Sequence, residues 1–138
     1  MAGVTDLISK NDMMGVLLAV CSSFEPIWNE FLAEWADEPD PPLCLALAAL
    51  ARHLIGMLQR GETENFSAIF TAVEGLHLHG DHFVREATTI GLFESLQNLN
   101  LHSSTKPEQF EPYLGPVSKL WWDKLNRFWD GDPTALRE

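Results

Sequence analysis

Phe24, Ile27, Trp28, Phe31, Leu32 and Trp35 recur at intervals of 3, 1, 3, 1 and 3 residues. That spacing returns to one face of an α-helix at every turn, and a strand, whose period is two, cannot collect it on one side. Phe66, Ile69, Phe70, Val73 and Leu76 repeat the rhythm, as do Trp121, Trp122, Leu125, Phe128 and Trp129. No segment alternates apolar and polar residues over the length of a strand. The chain is therefore read as all-α: a compact bundle of five or six helices, or an array of stacked helical hairpins. No repeat of fixed period marks a solenoid.

Punctuation residues divide the pattern. Asp12 is placed to cap a first helix that carries Met14, Val16, Leu17, Leu18, Val20 and Cys21, and Ser23 to cap a second, with Pro26 in its first turn. The stretch EPDPPL (38–43) then breaks the chain. LCLALAALARHLIGMLQR (43–60) follows, apolar around most of its circumference, and is read as a central helix that ends at Arg60 and Gly61. Thr63 opens a fourth helix. Asp81 caps a fifth, whose apolar face is Phe83, Val84, Ala87, Ile90, Leu92 (or Gly91 as a point of close approach), Phe93 and Leu96. Pro107 begins a short turn containing Phe110, Leu114–Gly115–Pro116 starts the last helix, and Gly131–Asp132–Pro133 stops it. Trp121 and Trp122 are adjacent, so about 100° of helix rotation separates them and they cannot enter the core equally. One domain is expected over 1–138, with flexible ends at 1–11 and 131–138.

Composition limits the function classes. The 138 residues are 46% hydrophobic and 21% charged, which suits a folded domain. No apolar run approaches the roughly 20 residues of a membrane span. No basic region precedes a secretory cleavage site at the N-terminus. The expected compartment is the cytoplasm, where Cys21 and Cys44, both in apolar helical runs, serve as small buried hydrophobes. The net charge is −11, and most of it lies in the first 40 residues, where eight acids face the single base Lys10. Affinity for nucleic acid or an anionic membrane comes from Lys and Arg, so neither is an expected partner, whereas a basic protein is.

LHLHGDHF (76–83) gathers three histidines and an aspartate. His77 and His79, two apart, point to opposite sides of a helix. Glu74 and His77 form one Glu-x-x-His, whereas carboxylate-bridged di-metal bundles need two together with acids from other helices. His79, Asp81 and His82 offer a mononuclear alternative in the turn. The structural reading is a corner between helices: histidines in a last turn, Gly80 supplying the C-terminal conformation, and Asp81 the next N-cap. No metal and no cofactor is expected. Serines lack a nucleophile-elbow setting, no glycine-rich phosphate loop is present, and His53 reads as a core or edge histidine.

The surface offers more. Glu30, Glu34 and Asp37 share a helix face at i, i+4 and i+7, with Glu38 and Asp40 following and Trp28 and Trp35 seven residues apart beside them. Acids steer a basic partner and an aromatic anchor slows its departure. Trp28, Glu30, Glu34, Trp35, Asp37, Glu38 and Asp40 are the candidate partner-binding residues.

The C-terminal half, FTAVEGLHLHGDHFVREATTIGLFESLQNLN (70–100) with YLGPVSKLWWDKLNRFW (113–129), resembles a group of small bacterial helical proteins. The shared features are Glu74, Leu76, Gly80, Asp81, Phe93, Glu94, Leu96, Gln97, Asn98, Leu114, Gly115, Pro116, Ser118 and Trp122. That group resembles immunity proteins of bacterial toxin systems. The resemblance implies a non-enzymatic protein that occludes a cognate toxin, and a nuclease toxin with its basic active site would suit the acidic chain. The alternatives are a metal-binding protein or enzyme using Glu74, His77, His79 and His82, and an acidic helical adaptor subunit. Oligomeric state is left open.

Overall fold

The computed structural model describes residues 7–132 and 134–135. The fold is all-α. The helices are α1 (Lys10–Val20), α2 (Glu25–Glu34), α3 (Leu43–Gln59), α4 (Phe66–His79), α5 (82–96) and α6 (Pro116–Trp129). α5 joins two α-helical segments, His82–Ala87 and Glu94–Leu96, through a π-helical stretch, Thr88–Phe93. Short 3₁₀ turns cover Ser22–Phe24, Leu99–Leu101 and Pro107–Tyr113.

α5 packs on α3, α4 and α6, and α4 is also covered by α1. The core therefore lies between α3, α4 and α5. α3 buries one broad face through Ala46, Leu47, Leu50, Ala51, Leu54, Ile55 and Met57, while Cys44, Leu45 and Arg52 open to solvent. The apolar run at its start exceeds what neighbours can cover. Cys21 is buried as expected, but Cys44 is exposed, and both are free. Partial desolvation of the thiol by its neighbours, then the charges of Glu86 and Glu94, raise the Cys44 pKa, which disfavours the reactive thiolate.

α4 follows its pattern residue for residue: Phe66, Ile69, Phe70, Val73 and Leu76 are all fully buried. α3 ends in a Schellman motif. Gly61, at φ 73°, donates to the Leu58 carbonyl and Glu62 to the Met57 carbonyl. Ser23 does not cap α2. A 3₁₀ turn leads into that helix, and the Ser23 hydroxyl pairs with His53 Nε2 at 2.8 Å.

α5 departs most from the simple 3.6-residue reading. Phe83 and Ile90 are each 38% exposed, while Thr88, Thr89 and Gly91 are buried. The wider π turn admits additional residues to the inner face. Gly91 is the point of close approach, since a Cβ there would lie 3.1 Å from the Leu47 side chain. The last helix also departs. Trp122 and Leu125 are fully buried, but Phe128 and Trp129 are 39% and 52% exposed, so the stripe leaves the core in its final turn.

At the α4–α5 corner, Asp81 Oδ1 accepts the Val84 N–H at 2.9 Å, the expected N-cap. Gly80 is extended at φ −73°, not left-handed. Its small size is what matters, because a Cβ would fall 2.4 Å from the Leu76 carbonyl oxygen and 2.5 Å from Val84 Cγ1. Gly80→Ala is expected to cost about 2 kcal/mol through overpacking. Gly75→Ala, with nothing within 4 Å of the new methyl, should hold or raise the thermal midpoint. Equal midpoints for the two variants would contradict this account. The corner also holds the N-terminal segment: Ile8 N–H donates to the His79 carbonyl and Asp81 N–H to the Ile8 carbonyl, at 2.8 and 2.9 Å. Part of the stretch expected to be flexible is thus fastened from Ile8 onward. Residues 1–6, 133 and 136–138 of the expected flexible ends lie outside the described residues.

Candidate functional site: an acidic edge and a buried polar joint

α2 stands at the margin of the bundle, with Phe31 its one buried residue. Trp28 stacks on Phe31 at 5.4 Å between ring centroids, and Trp35 meets Phe31 from the other side at 6.3 Å. Both tryptophans are half-buried, so each contributes a ring edge to the surface and is not a free-standing anchor. Glu30, Glu34, Asp37, Glu38 and Asp40 are exposed. Asp40 is paired with Lys10 at 2.7 Å, which ties the proline-rich loop to α1. Among the described residues no ion pair engages the other four. Trp28, Lys10, Met14, Asp40 and Leu43 help line a cleft of about 350 Å³ at this edge. The structure thus gathers the sequence-predicted residues along α2 and the loop after it, with Asp40 already engaged.

The histidine motif resolves differently. His77 is 3% exposed, and both ring nitrogens are occupied. Nδ1 pairs with Ser118 Oγ at 2.8 Å and Nε2 with Thr89 Oγ1 at 3.1 Å. Burial drives its pKa down to about 4, against a weaker opposing pull from Glu74. A group this weakly basic is ill-matched to proton abstraction near neutral pH. Glu74 is the N-terminal cap of α6: Oε2 accepts the Val117 N–H at 3.0 Å and Oε1 the Ser118 N–H at 2.8 Å. Burial alone would raise its pKa. The N–H groups of Ser118 and Val117 and the Ser118 hydroxyl outweigh that, and hold the carboxyl below its ordinary range. His79 and His82 are exposed and face no such partners. The four residues of the metal alternative therefore do not converge. Among the described residues no group of three or more His, Cys, Asp or Glu is arranged to hold a metal ion.

Sequence reasoning named Ser118 and Glu74 as shared features but missed the pairing of Ser118 and Thr89 with His77 and the capping role of Glu74. A signal for the last was present. Pro116 at the first helical position has no N–H, and Gly115 before it has no side chain to cap the next two donors. Without a local cap, an acceptor from elsewhere in the chain can take those donors, and Glu74 does. Gly115 also leaves room for it, since a Cβ there would sit 2.5 Å from Glu74 Cδ.

Glu74, His77, Gly80, Gly115, Pro116 and Ser118 thus make one joint that binds α4, α5 and α6. The architecture is an all-α domain, and the chain falls within a recognised family. Residues 14–130 match a family described as a domain of unknown function, DUF7674, and the chain belongs to it. The match takes in α2 and the acidic edge, which lie outside the C-terminal resemblance. No curated protein and no solved structure matches. No helix among the described residues is long and apolar enough to cross a membrane.

Proposed function

We propose that this chain is a non-enzymatic binding protein that takes a basic protein partner on the edge formed by α2 and the loop after it. Following the resemblance to immunity proteins, the partner is a bacterial toxin, neutralised by occlusion of its positively charged surface. The observation that supports the reading is the state of Glu30, Glu34, Asp37 and Glu38: four exposed carboxylates outside any ion pair among the described residues, beside a half-buried aromatic ladder. Four unneutralised acids on one edge set up a field that accelerates encounter with a cation-rich surface. The Trp28–Phe31–Trp35 ladder supplies rigid apolar area at the same place. The neutral, hydroxyl-bound His77 and the capping Glu74 support a structural role for the motif that the enzyme alternative requires.

The test begins with capture of the partner from host lysate at low and physiological salt. Association is then measured with the variant carrying Glu34→Lys, Asp37→Lys and Glu38→Lys. The positions are exposed, so the thermal midpoint should not move by more than a few degrees. The association rate at low salt should fall at least about tenfold, and its salt dependence should flatten. A captured partner that is acidic, or that binds the triple variant unchanged, overturns the reading.

A further inference from the structure

A groove of about 850 Å³ lies between the end of α5, the Pro107–Tyr113 turn and α6. Its lining includes Glu108, Glu111 and Asp130, and among the described residues no lysine, arginine or histidine lines it. Glu111 is engaged within the fold: Oε2 accepts the Trp122 indole N–H at 3.3 Å, and Lys119 approaches Oε1 at 3.6 Å. Glu108 and Asp130 are exposed and outside any ion pair among the described residues. Trp129 also lines the groove, with half of its surface open where the apolar stripe of α6 leaves the core.

A second, independent observation concerns Gln97, another lining residue, which is only 7% exposed. Its Nε2 donates to the Trp122 carbonyl at 3.0 Å, but its Oε1 is buried with no hydrogen-bond partner among the described residues. Buried carbonyl oxygens are nearly always satisfied, so this acceptor calls for a donor that the described residues do not supply. Two carboxylates outside any ion pair among the described residues, a half-exposed indole and an acceptor without a partner among those residues together describe one ligand chemistry. A guanidinium is cationic, planar and able to stack on an indole, and it carries five N–H donors.

We infer that this groove seats an arginine side chain presented by a basic segment of a partner protein. The inference rests on the reading of the partner as a basic protein, but it places a contact on α6 and not on α2. The charge of the groove favours a cation over an anion, and its carboxylates orient the guanidinium while Trp129 covers its face.

The test is a titration of the ¹⁵N-labelled full chain with acetyl-Gly-Arg-Gly-amide, and with the same peptide carrying neutral citrulline in place of arginine. The arginine peptide should shift the Gln97 side-chain amide and the Trp122 and Trp129 indole resonances. The citrulline peptide should bind about tenfold more weakly. The double variant Glu108→Gln, Asp130→Asn changes two exposed residues and should weaken the arginine peptide by about tenfold without altering the spectrum of the core. Absent shifts at Gln97 and Trp129, equal binding of the two peptides, or indifference to the double variant would each overturn the inference. The two proposals fail separately. Shifts confined to α2 would sink the groove and leave the acidic edge standing. A responsive groove in a chain whose partner ignores the α2 lysine variant would do the reverse.

Discussion

Acidification from pH 6.5 to pH 4 is expected to remove about 3 kcal/mol of folding stability through His77 alone. The ring is enclosed by Phe93, at 5.2 Å between centroids, and by the hydroxyls of Ser118 and Thr89. Burial holds the folded-state pKa at about 4, with Glu74 pulling weakly the other way. In the unfolded chain the same ring titrates near its ordinary value of about 6.5. Above that pH the residue is neutral in both states and its contribution to stability is complete. Below it the unfolded chain takes up a proton that the folded chain refuses, so stability falls with pH until the folded pKa is reached. Glu74 acts in the same direction in a lower window. Its pKa is depressed in the fold, so its contribution is present above the ordinary carboxylate range and lost as pH falls through it. Urea midpoints between pH 6.5 and 5 therefore exclude Glu74 and report the histidines, among them His53, whose pKa is also lowered by burial and by Arg60, so the contribution of His77 is read from its own variant. In His77→Gln, which keeps a donor and an acceptor, the decline over that interval should flatten. An unchanged slope would show that His77 is not the group responsible.

The helical class was legible because α4, with an uninterrupted 3.6-residue pattern, states its buried face outright. α5 was less so, and the reason is specific. Its pattern left Leu92 and Gly91 as competing inward positions, and the structure turns both inward. A π stretch is what lets adjacent residues share a face, so the ambiguity was itself the signal. The exposed end of α6 was illegible for another reason. Phe128 and Trp129 continue the spacing of Trp122 and Leu125, and spacing reports which residues share a side of a helix, not how far a neighbouring helix extends along it.

The candidate sites divide along the same line. The acidic edge could be found because exposed carboxylates at i, i+4 and i+7 need only local geometry. The joint could not, because Glu74 and Ser118 are far apart in sequence and meet only after α4 and α6 pack. Gly115 shows how near the information came. A helix that begins Gly–Pro leaves N–H donors with no local side-chain acceptor, which leaves room for a distant cap without saying which residue supplies it. Gln97 was visible as part of a shared motif, but its unsatisfied oxygen and the acids around it emerge only from tertiary structure.

Two tryptophans seven residues apart on α6 should behave as opposites. Trp122 is fully buried and packs edge-on against Phe93 at 5.2 Å and 76°. Its indole N–H reaches Glu111 and its carbonyl holds Gln97. Trp122→Ala removes the largest side chain of the core and leaves a cavity that rigid neighbours on three elements cannot fill. The expected loss is about 4 kcal/mol. For a chain of this size that lowers the thermal midpoint by roughly 14 °C. Trp129 sits in the final turn of the same helix, 52% exposed. Trp129→Ala should change stability by no more than about 0.5 kcal/mol, as exposed positions do. It should nevertheless weaken the arginine peptide, since the indole face is what the guanidinium stacks on. Parallel thermal melts and titrations of the two variants separate the roles. A large loss of stability in Trp129→Ala would mean that the end of α6 belongs to the core and is not free to receive a ligand. A small loss in Trp122→Ala would mean that α6 is held to the bundle chiefly by the Glu74–Ser118–His77 joint, with the aromatic packing secondary to it.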